Sequence, residues 1–169
     1  MKRLETDRLV IRELELGDSA FMLDLLNQPS FIRFIGDRGV ETLEDASTYI
    51  QERALAAYEK NGFGPFAVEL KTEGRVIGIV SLLDRDELDH VDIGFAFLPD
   101  SWRQGFATEA TSAVMDFAFQ DLGLEKIIAI TQPDNIASIK TLDKMGLSFA
   151  GMTRLGDEDI DLLLYAIER

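Results

Sequence analysis

A strand that leads through a glycine-containing turn directly into a helix restricts the fold of this chain more than any other segment. In VDIGFAFL, residues 91–98, large apolar residues alternate with small or polar ones, which predicts a half-buried strand. A turn follows, and a helix is predicted from about Gly105 to Gln120. A helix start leaves backbone N–H groups free and carries a partial positive charge, so this turn suits an anion such as a diphosphate. Arg103 adds a fixed positive charge to the turn. The spacing is also compatible with an ordinary strand-to-helix connection in which this arginine is solvated.

Periodicity along the rest of the chain predicts a mixed sheet flanked by helices. The strands are RLVIREL, PFAVEL, RVIGIVSLL, VDIGFAFL, KIIAIT, LSFAGMTRL and DIDLLLYAIER. Three other helices are predicted. The first begins after the cap Asp18 and ends at Pro29, the second runs from Thr42 to about Glu59, and the third runs from Asp134 or Asn135 to Gly146. The order β-α-α-β-β-β-α-β-α-β-β, over residues 1–169, predicts a single α/β (or α+β) domain.

Composition excludes several classes of function. The formal charge is −14 at pH 7 without a basic cluster, so RNA or DNA would be repelled and a cationic partner favoured, although solubility alone also explains such a charge. With one histidine and no cysteine, we expect no metal site and no disulfide. No apolar run approaches the ~18 residues of a membrane span, and the first residues lack a signal-peptide core. We therefore expect no membrane partner and a cytoplasmic location.

Other phosphate-binding and hydrolase motifs are absent: there is no G-x-x-x-x-G-K-[ST], no G-x-G-x-x-G after a strand and no G-x-S-x-G. Five segments, in this order, instead resemble the GCN5-related N-acetyltransferase (GNAT) superfamily: TDRLVIREL, GRVIGIVSL, VDIGFAFLPDSWRQGFATEA, TQPDNIASIKTLDKMGL and DLLLYAIER. The resemblance covers nearly the whole chain. Within the superfamily, it is to the branch that includes the ribosomal-protein N-terminal alanine acetyltransferases.

This resemblance implies the GNAT fold, with a mostly antiparallel sheet that is splayed between its fourth and fifth strands. It implies acetyl-CoA as co-substrate and acetyl transfer to a primary amine, by direct attack of that amine on the thioester. The acceptor would be a protein N-terminal α-amine or a small-molecule amine, and the sequence does not choose between them.

The resemblance also implies a set of cofactor-binding residues. Backbone groups of Phe97 and its neighbours Phe95 and Leu98 would pair with the pantetheine arm as an added strand does. A bulge at Gly94 would open the slot for the thioester, unless that glycine only relieves packing. The diphosphate cradle would consist of Arg103, Gln104, Gly105, Phe106, Ala107 and Thr108. On the following helix, Asn135 would bond the pantetheine or act as a helix cap, and Lys144, with Lys140, could reach the 3′-phosphate.

The catalytic residues do not follow the common pattern of the superfamily. The superfamily often has a tyrosine seven residues after the asparagine, but Leu142 occupies that position here. Ser138 is the candidate proton donor to the leaving thiolate, unless its hydroxyl is bonded to its own helix. Asp92 and His90 are candidate proton acceptors, unless both lie on the solvated surface. Glu109 is interpreted as a first-turn helix charge.

The acceptor pocket is predicted between the first two helices and the last strands, around Phe31, Arg33, Phe34, Tyr49 and the hairpin from Met152 to Asp161. Arg33 could bind a carboxylate there or form a surface ion pair. A different class of function also fits the cofactor motif: a non-catalytic module that binds acyl-CoA to sense or recruit. The sequence leaves the oligomeric state open, a homodimer included.

Overall fold

The sheet of the computed structural model, which describes residues 3–169, contains eight strands in the order β1-β2-β3-β4-β5-β6-β8-β7. Their bounds are β1 Leu4–Glu5, β2 Leu9–Glu13, β3 Pro65–Leu70, β4 Arg75–Leu83, β5 Asp92–Phe97, β6 Lys126–Thr131, β7 Ser148–Thr153 and β8 Leu162–Glu168. Neighbouring strands are antiparallel except β5 and β6, which are parallel. The predicted mixed, mostly antiparallel sheet is therefore confirmed, and β1 is an additional short edge strand.

The helices lie on both faces of this sheet. Their bounds are α1 Ser19–Leu26, α2 Pro29–Phe34, α3 Leu43–Tyr49, α4 Ala56–Asn61, α5 Phe106–Gln120 and α6 Ile136–Lys144. A π-helical segment, Ile50–Leu55, joins α3 to α4, so the helix predicted from Thr42 is continuous but locally widened. Pro29 does not end α1, which stops at Leu26; it occupies the first turn of α2, where its missing N–H has no cost.

Two apolar clusters hold the layers together. On one face, Ile93 and Phe97 of β5 pack with residues of α5 and α6 such as Val114 and Leu142. On the other face, Ala96 of β5 packs with the cluster formed by α1–α4 and the neighbouring strands. The alternation along β5 therefore assigns odd-numbered side chains to the α5–α6 face and even-numbered ones to the α1–α4 face.

The sheet opens between β5 and β6. Asp92 and Ile128 form the only register pair between these strands in the part of the chain that the structure describes. Each strand instead follows its outer antiparallel neighbour along its length, β5 with β4 and β6 with β8. Strand twist then separates the carboxyl ends of β5 and β6. We call the space between them the β5–β6 gap.

The gap does not arise from a bulge in β5, so that part of the Gly94 prediction is wrong. The register between β4 and β5 is continuous from Gly78↔Phe97 to Leu83↔Asp92. Register shifts occur instead between β3 and β4 and between β7 and β8. Within residues 3–169, no helix has both the length and the apolar character needed to cross a bilayer.

Candidate active site

The edge of β5 that faces the gap presents unpaired backbone groups. The Leu98 N–H donates to the Ile77 carbonyl of β4 at 2.9 Å, whereas the Val91 carbonyl accepts from the Ile128 N–H of β6 at 3.1 Å. Because these directions alternate along a strand, the N–H and C=O of Phe95 point toward β6, where no strand pairs with them in the described chain. Phe95 is therefore placed where an added strand would bond.

Phe97 and Leu98 are the two other residues predicted to contact pantetheine, and some of their backbone groups already form hydrogen bonds within the protein. The Phe97 carbonyl accepts a hydrogen bond from Trp102 Nε1 at 2.8 Å, so only its N–H is open to the gap. The Leu98 carbonyl accepts from both the N–H and the hydroxyl of Ser101, at 3.0 and 2.7 Å. Since the Leu98 N–H is also bonded, neither backbone group of Leu98 is open to the gap, and its contact with pantetheine stays a prediction.

The turn after β5 ends in a helix start with exposed donors. Gly105 is the N-cap of α5 with a φ of 81°, and it has no side chain to cap the helix. The first intrahelical bond runs from the Glu109 N–H to the Gly105 carbonyl at 3.0 Å. In the described chain this leaves the N–H groups of Phe106, Ala107 and Thr108 without partners. Three adjacent free donors of the kind that can bind a diphosphate thus lie at the start of a 15-residue helix.

The cationic side chains of this turn and of α6 have no ion-pair partner in the described chain. The exposed Arg103, with an unusual left-handed φ of 61°, has no ion-pair partner among residues 3–169. Gln104 is held to the turn because its Nε2 donates to the Asp100 carbonyl at 3.1 Å. Lys140 and Lys144 on α6 are also exposed and unpaired in the described residues.

Arg8, which directly precedes β2, makes contacts with this turn and with α5 that the sequence did not predict. Arg8 Nε donates to Glu109 Oε2 at 2.7 Å, and Arg8 Nη1 donates to the Gln104 carbonyl at 2.9 Å. The Thr6 hydroxyl donates to Glu109 Oε1 at 2.6 Å. Burial raises the pKa of Glu109, but the bonds from Thr6 and Arg8 outweigh it and keep that pKa below its ordinary value. Glu109 thus has a structural partner at each carboxylate oxygen.

On the β6 side of the gap, α6 begins with two of the predicted residues. Asn135 caps the helix, because its Oδ1 accepts from the Ser138 N–H at 3.3 Å. The Ser138 hydroxyl has no hydrogen-bond partner among residues 3–169, unlike that of Thr141, which donates to the Ala137 carbonyl at 3.0 Å. The alternative in which Ser138 is bonded to its own helix is therefore wrong. Its role as proton donor stays a prediction.

Asp92 lies at the closed end of the gap and is 2% exposed, so the solvated-surface alternative is wrong for it. Arg85 Nε donates to Asp92 Oδ1 at 3.0 Å. Burial raises the pKa of Asp92, and the charge and hydrogen bond of Arg85 lower it; burial prevails, so the pKa lies above its ordinary value. The sequence did not predict Arg85, because it stands in an acidic segment that resembles a solvated loop.

His90 does not join these groups. It is exposed, and with Asp84, Asp89 and Glu125 it lines an open cavity of about 930 Å³ beyond the amino ends of β5 and β6. For His90 the surface interpretation fits its position, and its role as a proton acceptor stays a prediction. Residues 3–169 contain no group of three or more His, Cys, Asp or Glu side chains arranged for a metal ion.

The predicted acceptor residues lie at the carboxyl end of β6. Arg33 Nη2 donates to Asp134 Oδ2 at 3.0 Å, and its guanidinium lies 4.8 Å from the ring centre of Phe34. Gln132 Nε2 donates to the Arg33 and Phe34 carbonyls at 3.2 and 3.3 Å. These contacts join α2 to the loop before Asn135. Phe31 is different: at 5% exposure it packs in the α1–α4 cluster, which leaves little surface for an acceptor.

Comparison with known proteins fits this geometry. A family model described as an acetyltransferase (GNAT) domain matches residues 8–148. The chain belongs to the GNAT family. The resemblance inferred from the sequence is confirmed, and this GNAT protein is an N-acetyltransferase, from a family that uses acetyl-CoA.

Similar proteins cover almost the same length. The chain is 32% identical over 152 residues to YoaA of Bacillus subtilis, named an uncharacterized N-acetyltransferase, covering 89% of this chain and 85% of that protein. A GNAT acetyltransferase structure from Bacillus anthracis shares 26% identity with a TM-score of 0.82, covering 98% of both chains. RimL, described as a ribosomal L7/L12 α-N-protein acetyltransferase in complex with coenzyme A, shares the fold at a TM-score of 0.85 and 14% identity, covering 99% of this chain and 98% of that one.

Proposed function

We propose that this GNAT protein transfers the acetyl group of acetyl-CoA to a primary amine, on a protein N-terminus or a small molecule, by direct attack on the thioester. The observation that carries the proposal is the β5–β6 gap, with the unpaired Phe95 backbone on one wall and the free helix start of α5 at its open end. Parallel strands present their carboxyl ends at the same edge of a sheet. The gap, the start of α5 and the start of α6 therefore open to the same side.

The residues around the gap suit a long anionic co-substrate. The N–H groups of Phe106, Ala107 and Thr108 would bind the diphosphate, and Arg103 would add a charge-assisted contact. The Phe95 backbone would pair with the pantetheine amides as a neighbouring strand does. Lys140 and Lys144 would approach the 3′-phosphate. In a protein of formal charge −14, these three cations have no ion-pair partner in the described chain and are therefore available to phosphate groups.

The acceptor side of the proposal rests on amine chemistry. At pH 7 about 1 in 2,500 lysine amines is neutral, whereas roughly 10–15% of α-amines are, so an α-amine needs less help from a base. Acetyl-CoA supplies the activated acyl carbon, and a C–N bond forms as the C–S bond breaks. Asp92 accepts, through water, the proton that the amine loses. Ser138 donates a proton to the thiolate, directly or through water, so that an amide and a thiol result.

The function is tested by calorimetric titration of CoA, followed by release of free thiol from acetyl-CoA across a panel of amines. The panel contains spermidine, n-butylamine, and peptides that begin with alanine or serine. We expect the protein to bind CoA. We also expect it to release free thiol from acetyl-CoA only when at least one amine of the panel is present. Absence of CoA binding overturns the proposal. Binding without release for every amine would favour the acyl-CoA-sensing module, which the family assignment does not favour.

The role of Ser138 is tested by Ser138→Ala. We expect kcat to fall about 10- to 100-fold, the range of partial loss of general-acid help, with CoA affinity unchanged. Thr141→Ala is the matched control one turn along α6, because its hydroxyl is already bonded to the helix; its kcat should stay near that of the wild type. A Ser138→Ala variant with the wild-type kcat would remove this hydroxyl from the mechanism.

A further inference from the structure

Ser81 is a buried residue on the sheet face that α1–α4 cover, and its hydroxyl has no partner in the described chain. It lies on β4 opposite Gly94 of β5, and its side chain is on the same face as Ile79 of the α1–α4 cluster. Ser81 is 8% exposed, and its hydroxyl makes no hydrogen bond with another described residue. No fully buried side-chain oxygen or nitrogen in the described residues lacks a partner, so Ser81 Oγ keeps contact with open space.

Gly94 provides that open space. A Cβ built at Gly94 would meet no atom within 4 Å, and its φ is outside the left-handed region that favours glycine. Neither the backbone nor the packing therefore requires glycine at this position. By contrast, a Cβ at Gly78, on the other side of β4, would lie 2.4 Å from the Phe97 ring. The missing side chain at Gly94 thus leaves room directly beside the Ser81 hydroxyl.

This space adjoins the groups of the proposed reaction. Asp92 is two residues from Gly94 on the same strand, so both face α1–α4 at a spacing of about 7 Å. The next residue, Phe95, presents its backbone to the β5–β6 gap. A group above Gly94 therefore has Ser81 on one side, the gap on the other and the Asp92 carboxylate one pleat away.

We propose that Ser81 and Gly94 form the subsite that holds the acceptor amine. This inference rests on the proposed function. An unhindered primary amine above Gly94 donates an N–H to Ser81 Oγ, which leaves its lone pair directed into the gap. The subsite admits a slender amine because its width is that of a single missing side chain. The proton released on attack then has a short route through water to Asp92.

The first test is Gly94→Ala, using the panel amine that the wild type acetylates best. One methyl group in the subsite should lower kcat/KM for the amine about 10- to 100-fold, mainly through KM. The Kd for CoA and the Tm should not worsen, since the methyl group meets no atom. Gly17→Ala is the matched control: a Cβ there is also unobstructed and its φ is ordinary, but it lies in the turn before α1.

The second test is Ser81→Ala, which removes only the hydroxyl. We expect kcat/KM for the amine to fall about 3- to 10-fold, the effect of one neutral hydrogen bond, with the Kd for CoA unchanged. The subsite is overturned if Gly94→Ala and Ser81→Ala both keep wild-type kcat/KM values, and Ser81→Ala alone decides if Gly94→Ala does not fold. If the wild-type protein acetylates no amine, the proposed function itself is overturned. Failure of the subsite and failure of the proposed function are therefore distinguishable.

Discussion

Asp92→Asn is expected to lower kcat/KM for the amine about 10²- to 10³-fold while the Kd for CoA stays unchanged. Asparagine keeps the shape of the side chain but cannot accept the proton that the attacking amine releases, and general-base help is typically worth ~10²–10⁴-fold. Steady-state kinetics with the best panel amine and calorimetry with CoA measure the two effects. Asp92 is distant from the α5 cradle along β5, which is why cofactor affinity should be retained.

The pH dependence gives a sharper test of Asp92, because only its carboxylate form can act as a base. Activity should be present above the raised pKa of Asp92 and be lost as pH falls through it, at a pH above the ordinary value of ~3.9. Arg85 lowers the pKa of Asp92, so Arg85→Met should move this acid limb to higher pH with the same amine. An acid limb that does not move in Arg85→Met would contradict the assignment.

The same pKa predicts how stability depends on pH. The folded state holds the Asp92 proton more tightly than the unfolded state does, so this group makes the protein less stable as pH rises from ~3.9 through the folded pKa. Asp92→Asn should flatten that part of the curve of unfolding free energy against pH. Denaturant titrations at several pH values measure it, and identical curves for wild type and variant would contradict the raised pKa.

Gly105→Val is expected to weaken CoA binding about 30- to 150-fold. Gly105 has a φ of 81°, where an L-residue costs about 1–2 kcal/mol and a β-branched one is a genuine outlier. A Cβ there would also lie 3.4 Å from Arg8 Nη2, the guanidinium that fastens the turn. The turn should rearrange, and the three free N–H groups after it would no longer converge. Helix-end contacts of ~0.3–1 kcal/mol each, up to ~2 when partly buried, account for a loss of this size.

Gly62→Val is the matched control for this prediction. Gly62 has a φ of 76° at the end of α4, and a Cβ there would meet no atom within 4 Å. Both variants should lower the Tm through backbone strain, but only Gly105→Val should raise the Kd for CoA in a calorimetric titration. Equal CoA affinity in the two variants would show that the helix start does not bind the diphosphate.

The local elements of the fold could be predicted from the sequence because their signals are short-range. The mainly apolar segment from Arg75 to Leu83 is β4, and the turn after β5 ends at Gly105, where α5 begins, as the glycine and the helix pattern indicate. Asn135 caps α6, as a polar residue before an apolar helical stripe suggests. Alternation, helical spacing, caps and turn glycines depend on residues that are neighbours in the chain, so the local sequence pattern is enough to predict them.

The sequence alone therefore determined the order of the seven longer strands, the family and the strand–turn–helix unit around Gly105. The tertiary structure decided which side chains meet. Arg8 and Glu109 are 101 positions apart and Gln132 and Arg33 are 99 apart. Ser81 lies opposite Gly94 only because β4 pairs with β5 in one register. Periodicity shows which residues share a face of a strand or helix. It does not show what covers that face, whether an acidic loop folds back to pair Arg85 with Asp92, or where a strand pair separates, because those outcomes depend on contacts between elements that are remote in the chain.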